Sequence, residues 1–386
     1  MTWQRAAIAS IKADTPNALV GGPFGSDLTT RDYVAEGVPV IRGQNLSAGR
    51  MFNEDDFVYV SDEKARALRA NTAVRGDLIF TQRGTLGQVG LIPRNSRFER
   101  YVVSQSQMKL TVDPRRVDAR FIYFYFSLPS VVEEIKARVI TSGVPHINLG
   151  ILKQFEVPVP PIDKQRRIAE IATTYEALIE NNQRRIKLLE EAARRLYREW
   201  FVALRFPGHE RVKVVDGVPQ GWERATLGSM STLNYGKALK ESERTPGEVP
   251  VYGSSGIVGA HNSPLVNGQG IILGRKGNVG SVFLSDGPFF AIDTVYFITP
   301  EQTSYFLFLL LQTLPFMSSD SAVPGLNRSY ANSLPTLKPR AELLTIFENA
   351  VKPMFAQIST LGRQNAVAKQ ARDALLPRLM SGALAV

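Results

Sequence analysis

Leu78-Ile79-Phe80-Thr81-Gln82-Arg83-Gly84-Thr85-Leu86-Gly87 is a short apolar run that breaks into a basic turn, and its pattern returns 193 residues later as Ile271-Ile272-Leu273-Gly274-Arg275-Lys276-Gly277-Asn278-Val279-Gly280. An apolar run of this length before glycine reads as a buried strand, and the G-x-x-G after it reads as a turn that needs backbone freedom. Self-similarity of this kind fixes the architecture before any local reading does.

Further matches flank this one in the same order. Trp3-Gln4-Arg5-Ala6 matches Trp222-Glu223-Arg224-Ala225, and Val38-Pro39-Val40 matches Val249-Pro250-Val251. Gly143-Val144-Pro145-His146-Ile147-Asn148 aligns with Ala322-Val323-Pro324-Gly325-Leu326-Asn327 at an offset of 179. That offset then persists, with Ile168, Ile171, Leu196 and Trp200 falling on Phe347, Ala350, Leu375 and Leu379. The offset drops from 219 through 211 and 193 to 179. The chain is therefore a duplication whose second head is shorter and whose helical parts match without gaps.

Each head mixes short strands with one apolar helix. The first offers Val38 to Ile41, Asp77 to Phe80, Val89 to Ile92 and Tyr101 to Val112, then a helix from Phe121 through Phe126 toward Arg138. The second offers Gly270 to Leu273, Ser281 to Leu284, Ala291 to Thr299 and a helix over Ser304 to Leu314. Val157-Pro158-Val159-Pro160-Pro161 is an extended linker, because proline restricts itself and its predecessor.

From Ile162 to Phe201 there is no Gly or Pro. Ile168, Ile171, Tyr175, Leu178, Asn182, Ile186, Leu189, Ala193, Leu196 and Trp200 recur at steps of three and four, a coiled-coil seam. At about 1.5 Å per residue it extends roughly 55 to 60 Å. Asn182 on the seam is the kind of polar residue that fixes register, and its counterpart is Leu361. The second helix, Ala341 to about Met380, contains Pro353 and Gly362, which predict a bent or two-piece helix. Neither stripe has a cover of its own, so the two helices are expected to pack antiparallel and hold the heads apart.

The 386 residues carry 46 Lys plus Arg against 36 Asp plus Glu, a net charge of +10 that favours a polyanionic partner. The excess is spread as 4, 2, 2 and 2 over residues 1–162, 163–201, 202–340 and 341–386, so no basic tail carries it. There is no cysteine, and His146, His209 and His261 are scattered, which argues against disulfides and a structural zinc site. Lys12 and Asp14 interrupt the first apolar stretch, and the longest apolar run, Tyr305 to Leu311, is too short to cross a bilayer. No membrane association and a cytoplasmic location are expected.

Two reading heads on a rod suit a double-stranded DNA partner, with successive groove faces roughly 34 to 36 Å apart. In the turns, Arg83 and Arg275 can bond a guanine edge with two donors and Gln82 or Asn278 an adenine edge, while Lys276 suits phosphate. Thr85 belongs to the same turn, and Arg42, Gln44 and Asn45 follow another strand with the same donor set, matched by Ser254 and Ser255. Ser104, Gln105, Ser142, His146 and Arg328 complete the candidate DNA-binding residues, and Asn148 and Asn327 can equally cap their loops. An ordinary solvated turn and a coiled-coil scaffold that never touches DNA stand as alternatives. A stand-alone methyltransferase or nuclease fits less well. Val159-Pro160-Pro161-Ile162 lacks the flanks of a methyltransferase tetrad, no G-x-x-x-x-G-K-[ST] loop occurs, and no carboxylate pair recurs in both halves.

The order of head, linker, long helix, head and the closing Leu375-Leu376-Pro377-Arg378-Leu379-Met380-Ser381-Gly382 resembles the specificity subunit of type I restriction-modification systems. Gly22-Pro23-Phe24-Gly25-Ser26 and Pro160-Pro161-Ile162-Asp163-Lys164-Gln165 add to the resemblance, although the second half has Gly236-Lys237-Ala238 in place of the Pro-Phe-Gly-Ser turn. The expected fold class is α+β: two mixed α/β target-recognition domains at 1–158 and 204–338, related by a pseudo-two-fold repeat. Two long antiparallel coiled-coil helices at 159–203 and 339–386 separate them. The resemblance implies a non-catalytic subunit that docks two methyltransferase (modification) subunits and can be joined by restriction/translocase subunits. It also implies no cofactor on this chain, with S-adenosylmethionine and ATP on the partners.

Overall fold

A computed structural model describes residues 3–46, 50–140, 145–318 and 325–386 of the chain. They fall into two compact units, residues 1–182 with 364–386 and residues 183–363. Each unit combines one globular segment with part of each long helix.

In unit 1 a four-stranded antiparallel sheet runs in the order Leu19–Gly21, Gln107–Leu110, Leu78–Thr81, Val89–Leu91. A five-stranded sheet runs Tyr33–Val34, Val58–Val60, Val38–Ile41, Arg100–Val103, Thr72–Val74. Its Val38–Ile41 and Arg100–Val103 strands are parallel. Arg5–Ala7 pairs with Glu156–Pro158 to close the segment. The stretch Tyr101 to Val112, read from sequence as one strand, is two strands joined by a turn at Ser104–Ser106. The helix Ala119–Phe126, capped by Asp118, buries Phe121, Phe124 and Phe126 in the same core as Leu78, Phe80 and Met108. Six consecutive apolar residues give a helix buried on every face rather than along one stripe.

Unit 2 repeats this plan with fewer strands. Its four-stranded sheet runs Asn234–Tyr235, Val295–Ile298, Gly270–Gly274, Val282–Ser285. The second sheet has three strands, with Val249–Gly253 parallel to Phe290–Ala291. Glu223–Thr226 pairs with Pro335–Lys338, and the helix Tyr305–Leu311 fills the core. The shrinking offset thus corresponds partly to a second sheet of three strands where unit 1 has five, and partly to the helix Pro129–Ala137 of unit 1, which has no counterpart among the described residues of unit 2.

The central helix spans Ile162–Tyr197 and ends in a π-helical turn, Arg198–Val202. The C-terminal helix spans Ala341–Ser381. In unit 1, Ile168, Ala169 and Ala172 share a core with Leu376, Leu379 and Met380. Asn182 Nδ2 there donates to Gln364 Oε1 at 3.4 Å, so the seam asparagine is bonded to the opposing helix. In unit 2, Ala193 and Tyr197 share a core with Phe347, Val351 and Phe355, and Phe347 meets the rings of Trp200 and Phe201 at 5.6 and 4.9 Å. In both units residue numbers rise on one helix as they fall on the other, so the pairing is antiparallel.

Two details of the helices refine the sequence expectation. Of the bent or two-piece alternatives for the C-terminal helix, the two-piece one is excluded: it is one uninterrupted element of 41 residues. Pro353 and Pro377 are exposed, as are Asn349 and Asp373, whose carbonyls lose their partners, so water can satisfy them. The buried stripe is also rotated. Ile168, Asn182 and Ala193 of the seam are buried, but so are Ala169, Ala172, Ile179, Tyr197 and Phe201 to one side of it, whereas Leu178, assigned to the seam, is 44% exposed. Among the described residues no helix is long and apolar enough to cross a membrane.

Candidate nucleic-acid interface

The two basic turns are built by the same backbone bonds. In unit 1 the N–H groups of Gln82 and Arg83 both donate to Ser106 O, at 2.7 and 3.2 Å, and Ile147 N donates to Gln82 O at 3.1 Å. In unit 2 the N–H groups of Arg275 and Lys276 both donate to Thr294 O, at 2.9 and 3.0 Å, and Leu326 N donates to Arg275 O at 2.7 Å. Arg83 forms an antiparallel bridge with His146, and Lys276 forms one with Gly325. Each turn is thereby clamped to a segment that the sequence alignment had paired independently. The glycines are required by conformation: Gly84 and Gly87 have φ of 99° and 87°, and Gly277 and Gly280 have 76° and 80°. A Cβ on Gly87 would lie 2.8 Å from Val132 Cγ1.

The candidate residues separate into two groups. Arg83, Thr85, Ser255, Asn278 and Arg328 are exposed, and Gln82, Arg275, Lys276 and Ser254 are half-buried around the turns. The Arg83 side chain makes no hydrogen bond or ion pair with described residues. Lys276 Nζ lies 3.7 Å from Asp293 Oδ2. His146 is half-buried and exchanges backbone bonds with Ile140 at 2.9 and 3.2 Å. Ser142 lies outside the described residues.

Others are committed to the protein itself. Asn45 is fully buried; its Oδ1 accepts from Arg42 N at 2.9 Å and its Nδ2 donates to the Asn53 and Asp55 carbonyls at 3.1 and 3.2 Å. Asn45 therefore braces a loop and has no edge left for a base. Arg42 and Gln44 both donate to Asp56 O, at 3.0 and 2.6 Å, which holds the same loop. Ser104 Oγ bonds Gln107 Oε1, and Gln105 Nε2 donates to Gly25 O and, at 2.9 Å, to Leu28 O. Asn148 and Asn327 are helix N-caps, accepting from Ile151 N at 2.9 Å and Tyr330 N at 3.1 Å.

Sequence reasoning missed two aromatic residues. Gln105 fixes the turn that presents Phe24, which is 90% exposed. In unit 2, Tyr235 is 48% exposed, and the Arg275 and Arg328 guanidinium carbons lie 5.0 and 4.8 Å from its ring centroid. The signal for Tyr235 was its place beside Gly236, in the region aligned with the first unit's glycine turn. Burial pushes the hydroxyl of the adjacent Tyr296 above the ordinary tyrosine value, and that hydroxyl donates to Leu326 O at 2.9 Å.

Duplicated mixed units, each clamping a basic turn, define the class of this protein. The model of the type I restriction modification DNA specificity domain matches residues 29–191 and 219–328, and the chain belongs to that family. It is similar to the type I restriction enzyme MjaIX specificity subunit of Methanocaldococcus jannaschii, 24% identical over 92% of this chain and 89% of that one. The HindI specificity subunit of Haemophilus influenzae is 22% identical over 84% and 90%. The crystal structure of the type I restriction-modification system S subunit from M. genitalium shares the fold, with a TM-score of 0.63 at 19% identity, covering 98% of this chain and 96% of that one. The resemblance read from the sequence and the α+β duplicated architecture both hold.

Proposed function

We propose that the chain is the DNA sequence-recognition subunit of a type I restriction-modification complex, and that each unit reads one half of an asymmetric, bipartite target. The central and C-terminal helices set the gap between half-sites and offer the docking surface for two methyltransferase subunits. The chain itself is non-catalytic: S-adenosylmethionine and ATP belong to the methyltransferase and restriction/translocase partners, and the assembly works in the cytoplasm. The observation that carries this reading is the twice-built turn. Identical backbone bonds hold Arg83 in one unit and Lys276 in the other, while the surrounding side chains differ. A shared frame with unlike contents is what two different half-sites require.

Charge reversal tests it. Arg83→Glu and Lys276→Glu should each weaken duplex binding at least tenfold in a gel shift with the methyltransferase subunit present, because a phosphate contact becomes a repulsion. Assembly with that subunit, read by size-exclusion chromatography, should be unchanged. Lost assembly with intact DNA binding would reverse the roles assigned to turns and helices.

A further inference from the structure

Within the frame that the two units share, one cluster of side chains differs completely. In unit 2, Tyr235 stands opposite Tyr296 in the sheet, and the guanidinium groups of Arg275 and Arg328 lie against the Tyr235 ring. Arg275 also lies 5.7 Å from the Tyr296 ring, and its Nη1 donates to Asp293 O at 3.2 Å. The Asp293 carboxylate faces Lys276, and neither arginine has a carboxylate partner among the described residues.

In unit 1 the register puts Gly21 opposite Met108 at the place of Tyr235 and Tyr296. The neighbours correspond as well: a Cβ on Gly21 would lie 3.6 Å from Gln82 Oε1 and 3.7 Å from Leu149 Cδ1. Gln82 aligns with Arg275 and Leu149 with Arg328, so Tyr-Arg-Arg in one unit is Gly-Gln-Leu in the other. One residue further along the turn, Arg83 and Lys276 are basic in both.

Phosphates are alike along any duplex, so contacts to them have no reason to diverge between units, whereas base contacts do. A guanidinium held against an aromatic ring is pre-organised and matches guanine O6 and N7; a glutamine amide matches adenine N6 and N7. Resting on the DNA-reading role above, we propose that Tyr235, Arg275 and Arg328 form a guanine-reading site in unit 2. Gln82, over the space left by Gly21, reads adenine at the matching place in unit 1, and Arg83 and Lys276 hold phosphate in both.

The test is selection from randomised duplex pools by the chain assembled with its methyltransferase subunit. Arg328→Ala and, separately, Arg275→Gln should reduce guanine preference at one position of one half-site by roughly 5- to 150-fold and leave the other half-site unchanged. Gln82→Ala should relax one adenine position in the opposite half-site. Lys276→Ala should weaken binding to every sequence alike and flatten its salt dependence. If thermal melting shows that Arg275→Gln unfolds, Arg275→Lys keeps the charge, loses the fork, and should lose the same preference. Uniform weakening by Arg328→Ala or either Arg275 variant, with base preference intact, overturns the inference; a wild-type assembly still selecting a bipartite target then leaves the DNA-reading role standing. A wild type that selects no sequence overturns both.

Discussion

Asp32 closes its loop on itself: the Thr29 N–H and hydroxyl donate to its Oδ2 at 2.7 and 3.0 Å, and Lys64 Nζ lies 2.9 Å from Oδ1. The Lys64 bond, helped by the two from Thr29, holds the carboxyl down to about 2 from an ordinary value of 3.8. A carboxylate lowered by folding stabilises above its unfolded value, and that contribution is lost as pH falls from about 4 to about 2. Asp32→Asn should therefore lower stability at pH 6 and much less at pH 2 in urea denaturation; an equal loss at both would contradict the assignment. At this scale the sequence was legible for residue type and not for partners. Asn45 carries the amide of an adenine reader, but the loop at Asn53 and Asp55 folds over it and takes every donor. Tyr235 was invisible for the opposite reason, since its neighbours Arg275 and Arg328 come from 40 and 93 residues further along the chain.

A charged contact between the two helices in unit 1 is replaced by apolar residues at the duplicated positions of unit 2. In unit 1, Glu176 and Arg372 form an ion pair with side chains only 16% and 15% exposed. Burial pushes the Glu176 carboxyl above its ordinary value against the pull of Arg372. The matching positions in unit 2, by the 179 offset, are Phe355 and Ala193, both buried in the apolar core. Removing one member of a buried pair strands the other, at a cost of about 3–5 kcal/mol, whereas apolar replacement of both is often neutral. Arg372 also bonds the exposed Asp373 carboxylate, its Nη2 2.6 Å from Oδ1. Arg372→Ala, which strands Glu176, should therefore destabilise by that order in chemical denaturation and Glu176→Phe by less, and the double variant should recover to within about 1 kcal/mol of wild type; additive losses would show that the pair is not coupled. Phe347, fully buried against Trp200 and Phe201, gives a reference: Phe347→Ala should cost about 3–5 kcal/mol through the cavity alone. The existence and length of both helices were readable from periodicity. Their rotation was not, because steps of three and four fit Leu178 and Ile179 alike until the opposing helix selects one.

Across the molecule, the duplication was the most legible feature. Its offsets paired the two basic turns, the buried strands that lead into them and the long helices. They could not say that the second sheet would have three strands in one unit and five in the other, since lone pairing partners such as Tyr33–Val34 and Thr72–Val74 carry no repeat signal. Two unlike units built on one frame imply a target with two unlike halves. The most direct test is the methylation pattern written on DNA by the complete methyltransferase assembly containing this chain, read base by base. Two different short motifs separated by a fixed, unspecified gap are expected; a single uninterrupted motif, or a palindrome with identical halves, would contradict the account.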